Sequence, residues 1–223
     1  MSRRATFSEL RWPDDPFDHD LPIRWASGVA TRVLDWTWRA FDLLRAKHLA
    51  RVDLTQGLEQ LERDLTRSHF IEILALFASE TSGFPTFFPV PVPEWPELES
   101  RTSPSAKPPA NDFAFVSYSN RRWTWPIEAK VVPTPGRLGD YLEDVNRKFV
   151  GGVAAPLVGE GAMIAYLLTN ETDKVFENLA RRLEQVLEPV SEFRERPHRT
   201  SHHSRATAPD LRLHHMMMEC VAR

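Results

Sequence analysis

The chain has 223 residues, of which 42% are hydrophobic, 26% charged and 10% aromatic, as in a folded globular protein. Lys and Arg number 28 against 31 Asp and Glu, and a net charge of −3 excludes a general attraction of the whole chain to nucleic acid. The single cysteine, Cys220, excludes an internal disulfide framework. No apolar run reaches the roughly 18 to 20 residues that cross a bilayer, and a secretory signal is missing, so we expect a cytoplasmic protein without membrane contact.

The N-terminal 50 residues predict an arm followed by an added helix. Residues 1–22 are rich in Pro, Asp and Arg and have no sustained periodicity, which is typical of an irregular arm. From Trp25 to about Ala46 the apolar residues recur at helical spacing. We therefore assign residues 1–50 to the arm and added helix and residues 51–223 to one folded domain.

The remaining sequence alternates between helical and strand patterns. Residues 191–209 are polar and basic and are assigned to a loop. The predicted order is a helix over about 54–79, an edge strand over 86–92, a hairpin with strands over 112–118 and 122–132, a helix over 136–150, a buried strand over 162–168, a helix over about 170–186 and a last strand over 211–221. This order predicts an α/β fold, with a mixed β-sheet flanked by helices.

The predicted hairpin carries the residues that point to chemistry. Asp112 lies near the start of its first strand, and Glu128-Ala129-Lys130 lies in its second. Side chains alternate between the faces of a strand, so Glu128 and Lys130 share one face, and Asp112 can approach Glu128 across the hairpin. Two carboxylates this close form a hard-oxygen site of the kind that suits Mg²⁺ or Mn²⁺. The competing interpretation is a surface salt bridge from Glu128 to Lys130 or Arg122.

These motifs resemble those of the PD-(D/E)xK nuclease superfamily, which has the restriction-endonuclease-like fold. The resemblance covers about residues 54–168, with Asn111-Asp112 matching the first motif and Glu128-Ala129-Lys130 the second. It implies an αβββαβ core, extended here by the added N-terminal helix and a C-terminal α-β unit. Asn111 stands where the family has proline, and Pro126 removes a ladder donor close to Glu128.

The resemblance also implies the roles of the site residues. Asp112, Glu128 and the carbonyl of Ala129 would hold the metal ion, and Lys130 would orient the attacking water or stabilise charge on the phosphate. A helix acid would assist through a metal-bound water, and Glu62 is our choice for it. Glu59 and Glu72 are the rival candidates. The implied activity is metal-dependent hydrolysis of nucleic acid, with DNA favoured over RNA and a role in bacterial defence or DNA processing.

Two groups of basic residues are candidate substrate-binding residues. The first is interleaved with tryptophans that could stack on bases, and the second precedes the last predicted strand. Their alternatives are a packed hairpin and a solvated surface loop. The candidates are Arg121 and Arg122 in the hairpin, and Arg199, His202 and Arg205 towards the C-terminus.

Three other possibilities follow from the sequence. The histidines near the C-terminus suggest a zinc cluster, but His214 and His215 are adjacent in a strand and point to opposite faces, so only one could join a common site. The domain could be a catalytically silent module that binds nucleic acid or a partner protein. Trp36 and Trp38 could also bury the added helix against a partner or in a homodimer.

Overall fold

A computed structural model describes residues 28–81, 89–99, 108–117 and 121–221. The predicted arm and the first part of the predicted edge strand lie outside these residues. The helices are α1 Val29–Lys47, α2 Leu58–Thr81, α3 Gly139–Asp144 and α4 Thr172–Leu183, with a π-helix over Val145–Val150 and 3-10 turns over Leu49–Arg51 and Ser191–Phe193. The strands are β1 Val90–Pro96, β2 Ala110–Val116, β3 Thr124–Val132, β4 Glu160–Leu167, β5 Glu188–Pro189, β6 His198–His203 and β7 Leu211–Glu219.

The strands form one mixed sheet of seven in the order β1-β2-β3-β4-β7-β6-β5. Strands β1, β2 and β3 are antiparallel neighbours, β3, β4 and β7 are parallel, and β6 and β5 return antiparallel at the other edge. The α/β class and the mixed sheet flanked by helices are therefore confirmed. Within the described ranges, no helix has the length and apolar character needed to cross a membrane.

Helices cover both faces of the sheet, because the strands carry apolar side chains on both faces. One core joins α1 and α2 to the face that carries Ile127 and Ala129, and the other joins α3 and α4 to the opposite face. Trp36 and Trp38 are only 1% and 2% exposed and belong to the first core. The added helix is thus part of the domain, and its tryptophans are not available as the surface for a partner or homodimer that the sequence suggested.

Strand β6 is the main element that sequence reasoning missed. We predicted a loop for 191–209 because the segment is polar, yet β6 pairs with β7 along its whole length. Four of its six residues are buried, because hydrogen bonds satisfy their polar side chains. His198 bonds to His214, and Ser201 bonds to both His203 and His215. His214 and His215 do face opposite sides of the sheet, as predicted.

Candidate functional site

A gap opens in the sheet where β2 separates from β3. The antiparallel ladder between these strands ends at the pair Phe113 and Ile127. From there β2 continues beside β1 and β3 continues beside β4, so the second half of β3 has no strand on its β2 side among the described residues. An unpaired strand edge leaves backbone N–H groups that need acceptors.

Two carboxylates accept the N–H groups of this edge. Asp112 lies one residue beyond the last ladder pair, across from Glu128 if the register is continued, and its Oδ2 accepts a hydrogen bond of 2.7 Å from the N–H of Ala129. Glu62 lies in the first turns of α2. Its Oε2 accepts a hydrogen bond of 3.4 Å from the N–H of Val131. The sheet therefore holds both acids in place by their backbone contacts.

Two lysines lie among the carboxylates. Lys130 Nζ is 2.7 Å from Glu62 Oε1 and 3.3 Å from Asp144 Oδ2. Lys148 Nζ is 2.7 Å from Glu128 Oε2 and 3.5 Å from Asp144 Oδ2. Glu128 is 0% exposed, so the predicted alternative of a surface salt bridge to Lys130 or Arg122 is wrong.

Sequence reasoning missed Asp144 and Lys148. They lie one helical turn apart, at the end of α3 and within the π-helix that continues it, on the face opposite α2. The available signal was an acid followed four residues later by a lysine, in the helix directly after the Glu128 strand. A π-helix is rare and occurs often at functional sites, and it is not visible in a 3.6-residue pattern.

Among the helix acids, only the chosen one reaches this cluster. Glu59 is 89% exposed and pairs with Arg63 on the outer face of α2. Glu72 pairs instead with Lys47 and His48 at the end of α1. Glu62 is therefore the acid of α2 that the fold brings to Asp112, Glu128 and Lys130.

The cluster carries more carboxylates than cations. Its four carboxylates face two ammonium groups and the Arg147 guanidinium, which is 3.1 Å from Asp144, so one negative charge is in excess when all are ionised. Burial raises the pKa of Glu128 well above its ordinary value, and the charge of Asp112 raises it further. Burial also raises the pKa of Glu62, and the hydrogen bond from Lys130 opposes that effect. Burial alone would lower the pKa of Lys130, but Glu62, Asp112 and Asp144 together outweigh it and raise the pKa.

Two kinds of oxygen atom in the cluster are of the type that a divalent ion of the magnesium class binds. Glu128 Oε1 is buried and lacks a hydrogen-bond partner within the part of the chain that the structure describes. The carbonyl of Ala129 points to the same side of β3 as its N–H, the side on which Asp112 lies. Carboxylate and carbonyl oxygens are the ligands that Mg²⁺ and Mn²⁺ prefer. No three His, Cys, Asp or Glu side chains of the described residues already converge as a metal-holding group.

The predicted basic residues of the hairpin lie away from this cluster. Arg122 donates two hydrogen bonds to Glu99, of 2.8 and 3.0 Å, and its side chain is only 12% exposed. This ion pair connects the residues just before β3 to the segment after β1, and it engages the Arg122 guanidinium within the protein. Arg121 is exposed at the same turn, roughly 20 Å along the strand from Glu128.

The C-terminal candidates also lie elsewhere, because β6 is three strands from β3, a separation of roughly 14 Å. The Arg205 guanidinium is buried and donates to four backbone carbonyls, which fixes the loop after β6 instead of offering a charge to substrate. Arg199 lies over the ring of Phe176, 4.5 Å from its centroid. His202 is exposed, 3.7 Å from Glu188.

Comparison of the chain with protein-family models, with curated proteins and with solved structures finds no match. The resemblance to PD-(D/E)xK nucleases therefore rests on the sequence motifs of this chain alone.

Proposed function

We propose that the chain is a divalent-metal-dependent nuclease with a restriction-endonuclease-like core, acting on DNA. The observation that carries the proposal is the convergence of Glu62, Asp112, Glu128 and Lys130 at one break in the sheet. The four residues were selected from sequence motifs separated by as many as 68 positions. Glu128 Oε1 is a buried carboxylate oxygen without a hydrogen-bond partner among the described residues, so it is available to a metal ion.

The chemistry follows from the positions of these groups. Asp112, Glu128 and the carbonyl of Ala129 would hold Mg²⁺ or Mn²⁺, which when bound polarises the phosphate and makes a water more acidic. Lys130 is placed to donate a hydrogen bond to the attacking water or to charge that grows on the phosphate. Glu62 holds the Lys130 ammonium in position and would place a further carboxylate near the attacking water.

The proposal is tested with purified protein on plasmid, linear double-stranded DNA, single-stranded DNA and RNA, with Mg²⁺ or Mn²⁺ and with EDTA. We expect metal-dependent cleavage that Glu128→Gln reduces at least about a hundredfold. Glu59→Gln is the matched control, because it removes an exposed carboxylate near Glu62 on the same helix. Cleavage that persists in EDTA or in Glu128→Gln would contradict the proposal.

A second candidate function is a silent module that binds nucleic acid or a partner protein. The specific observation in its favour is that Lys148 already neutralises Glu128, and Lys130 already neutralises Glu62. Both of these ion pairs are complete without a metal ion. Specific DNA binding together with no cleavage and no Mn²⁺ binding would favour this candidate.

A further inference from the structure

Lys148 has a position that the proposed reaction does not explain. It projects from the π-helix onto the face of β3 that carries Glu128, and its side chain is only 14% exposed. Its Nζ contacts Oε2 of Glu128, while the other oxygen of the same carboxylate has no partner among the described residues. One carboxylate thus holds a resident cation on one oxygen and has its second oxygen available.

A divalent ion and this ammonium group compete for the same carboxylate. Ions of the magnesium class bind oxygen at about 2.1 Å. An ion on Glu128 Oε1 would therefore lie within a few ångströms of Lys148 Nζ, close enough for strong repulsion in a buried site. Asp144, which is 3.5 Å from the ammonium, offers a second acceptor to which Lys148 can shift.

We infer that Lys148 is an internal counter-ion that occupies the metal-binding carboxylate of the resting protein and must leave Glu128 for the metal ion to bind. The displaced ammonium, held near the site by the π-helix, then faces the phosphate of the substrate. Lys148 is therefore a positioning residue that sets metal affinity and, once displaced, contributes to nucleic acid binding. This inference rests on the proposed function.

The test separates these two effects in Lys148→Met, which keeps the length of the side chain and removes its charge. Mn²⁺ binding is measured by calorimetry at pH 8.0 and fixed ionic strength, and binding of a labelled DNA duplex is measured in Ca²⁺. We expect Mn²⁺ to bind at least tenfold more tightly to Lys148→Met and the duplex to bind at least threefold more weakly. A merely structural lysine would not move the two affinities in opposite directions.

Two controls make the result specific. Lys148→Arg retains the charge and should keep Mn²⁺ affinity within threefold of the wild type. Arg147→Met removes a neighbouring cation that contacts Asp144 and is 59% exposed, and it should change Mn²⁺ affinity less than threefold. If Lys148→Met melts early in thermal unfolding, Lys148→Gln replaces it in the same measurements.

The outcomes distinguish this inference from the proposed function. A wild-type protein that binds no Mn²⁺ overturns the proposed function. Unchanged or weaker Mn²⁺ binding in Lys148→Met, with normal binding in the wild type, overturns only the role of Lys148. An equal gain in Arg147→Met would show that general charge, and not contact with Glu128, sets the affinity.

Discussion

The ammonium group of Lys130 joins the two sides of the sheet. It contacts Glu62 from α2 on one side and Asp144 from the end of α3 on the other. The contact with Glu62 is a hydrogen bond of 2.7 Å and the side chain is 18% exposed, so the ammonium is positioned before any substrate arrives. A fixed donor of this kind stabilises a transition state without reorganisation.

We predict that Lys130→Ala retains metal and DNA but loses most of its cleavage rate. The removed donor corresponds to about 3 to 4 kcal/mol of transition-state stabilisation. Lys130→Arg should not rescue the rate, because a planar guanidinium cannot reproduce a compact ammonium between two carboxylates. Single-turnover kinetics at saturating Mg²⁺ measure the effect. Wild-type rates in Lys130→Ala would assign the chemistry elsewhere, and loss of folding would show that Lys130 is structural.

Among single residues, the sequence predicted the positions that strand alternation determines. Alternation and hairpin spacing predicted that Asp112 approaches Glu128, and the Asp112 carboxylate contacts the N–H of Ala129, the residue directly after Glu128. Glu62 was chosen over Glu59 and Glu72 without a physical criterion, because the rotation of α2 on the sheet depends on its packing. Lys148 was not predicted, because its direction depends on the extra residue of a π-turn.

The π-helix is closed by a glycine that no other residue can replace without a shift. Its N–H bonds to the carbonyl of Asn146, five residues back, and a Cβ at Gly151 would overlap the carbonyl oxygen of Arg147. Phe149 in the same segment packs on Gly161 of β4, where a Cβ would lie 2.7 Å from the ring. These two contacts fix the segment that carries Lys148.

We predict that Gly151→Ala destabilises the protein by about 1 to 3 kcal/mol, the usual cost of forcing extra volume into a packed site. Because the π-turn must shift, the variant should also lose the effect of Lys148 on Mn²⁺ affinity. Gly139→Ala is the control, because a Cβ there meets nothing within 4 Å and alanine favours the helix. Urea unfolding measures the stability of both variants, and calorimetry measures their Mn²⁺ binding. Equal stabilities of Gly151→Ala and Gly139→Ala would exclude the proposed packing role.

Among the helices and strands, apolar periodicity located the elements that pack through apolar side chains. Helix α2, strand β3 and strand β4 were located to within a few residues because their core faces are aliphatic. Strand β6 was missed because its core-facing positions are polar, and polar positions signal burial only when their hydrogen-bond partners are known. Those partners lie on β7 and α1, distant in sequence.

Across the whole molecule, buried histidines join the helices to both faces of the sheet. On one face Trp38 donates to His198 Nδ1, so His198 Nε2 carries the proton and donates to His214, 2.9 Å away. On the other face His215 lies 2.7 Å from both the hydroxyl of Tyr141 and that of Ser201. The first chain requires neutral imidazoles, because Nδ1 of His198 and Nδ1 of His214 both accept hydrogen bonds, whereas burial disfavours the charged form of His215.

Burial sets the direction in which pH acts on these histidines. Burial, together with the nearby His203 and His214, lowers the pKa of His215 to about 3. In the unfolded chain the pKa is about 6.5, so below that pH the unfolded state binds a proton that the folded state does not bind. The folded state therefore loses stability as the pH falls from about 6.5 towards 3.

We predict that His215→Gln makes stability less sensitive to acid than in the wild type. Glutamine retains hydrogen-bonding groups towards Tyr141 and Ser201 but cannot be protonated. Between pH 7.5 and pH 5.5 the unfolding free energy of the wild type should therefore fall by about 1.4 kcal/mol more than that of the variant. Urea unfolding at the two pH values measures it. His202→Gln is the control, because that side chain is exposed and its replacement should leave the pH profile parallel to that of the wild type. Parallel profiles for His215→Gln as well would mean that His215 is not held neutral by the fold.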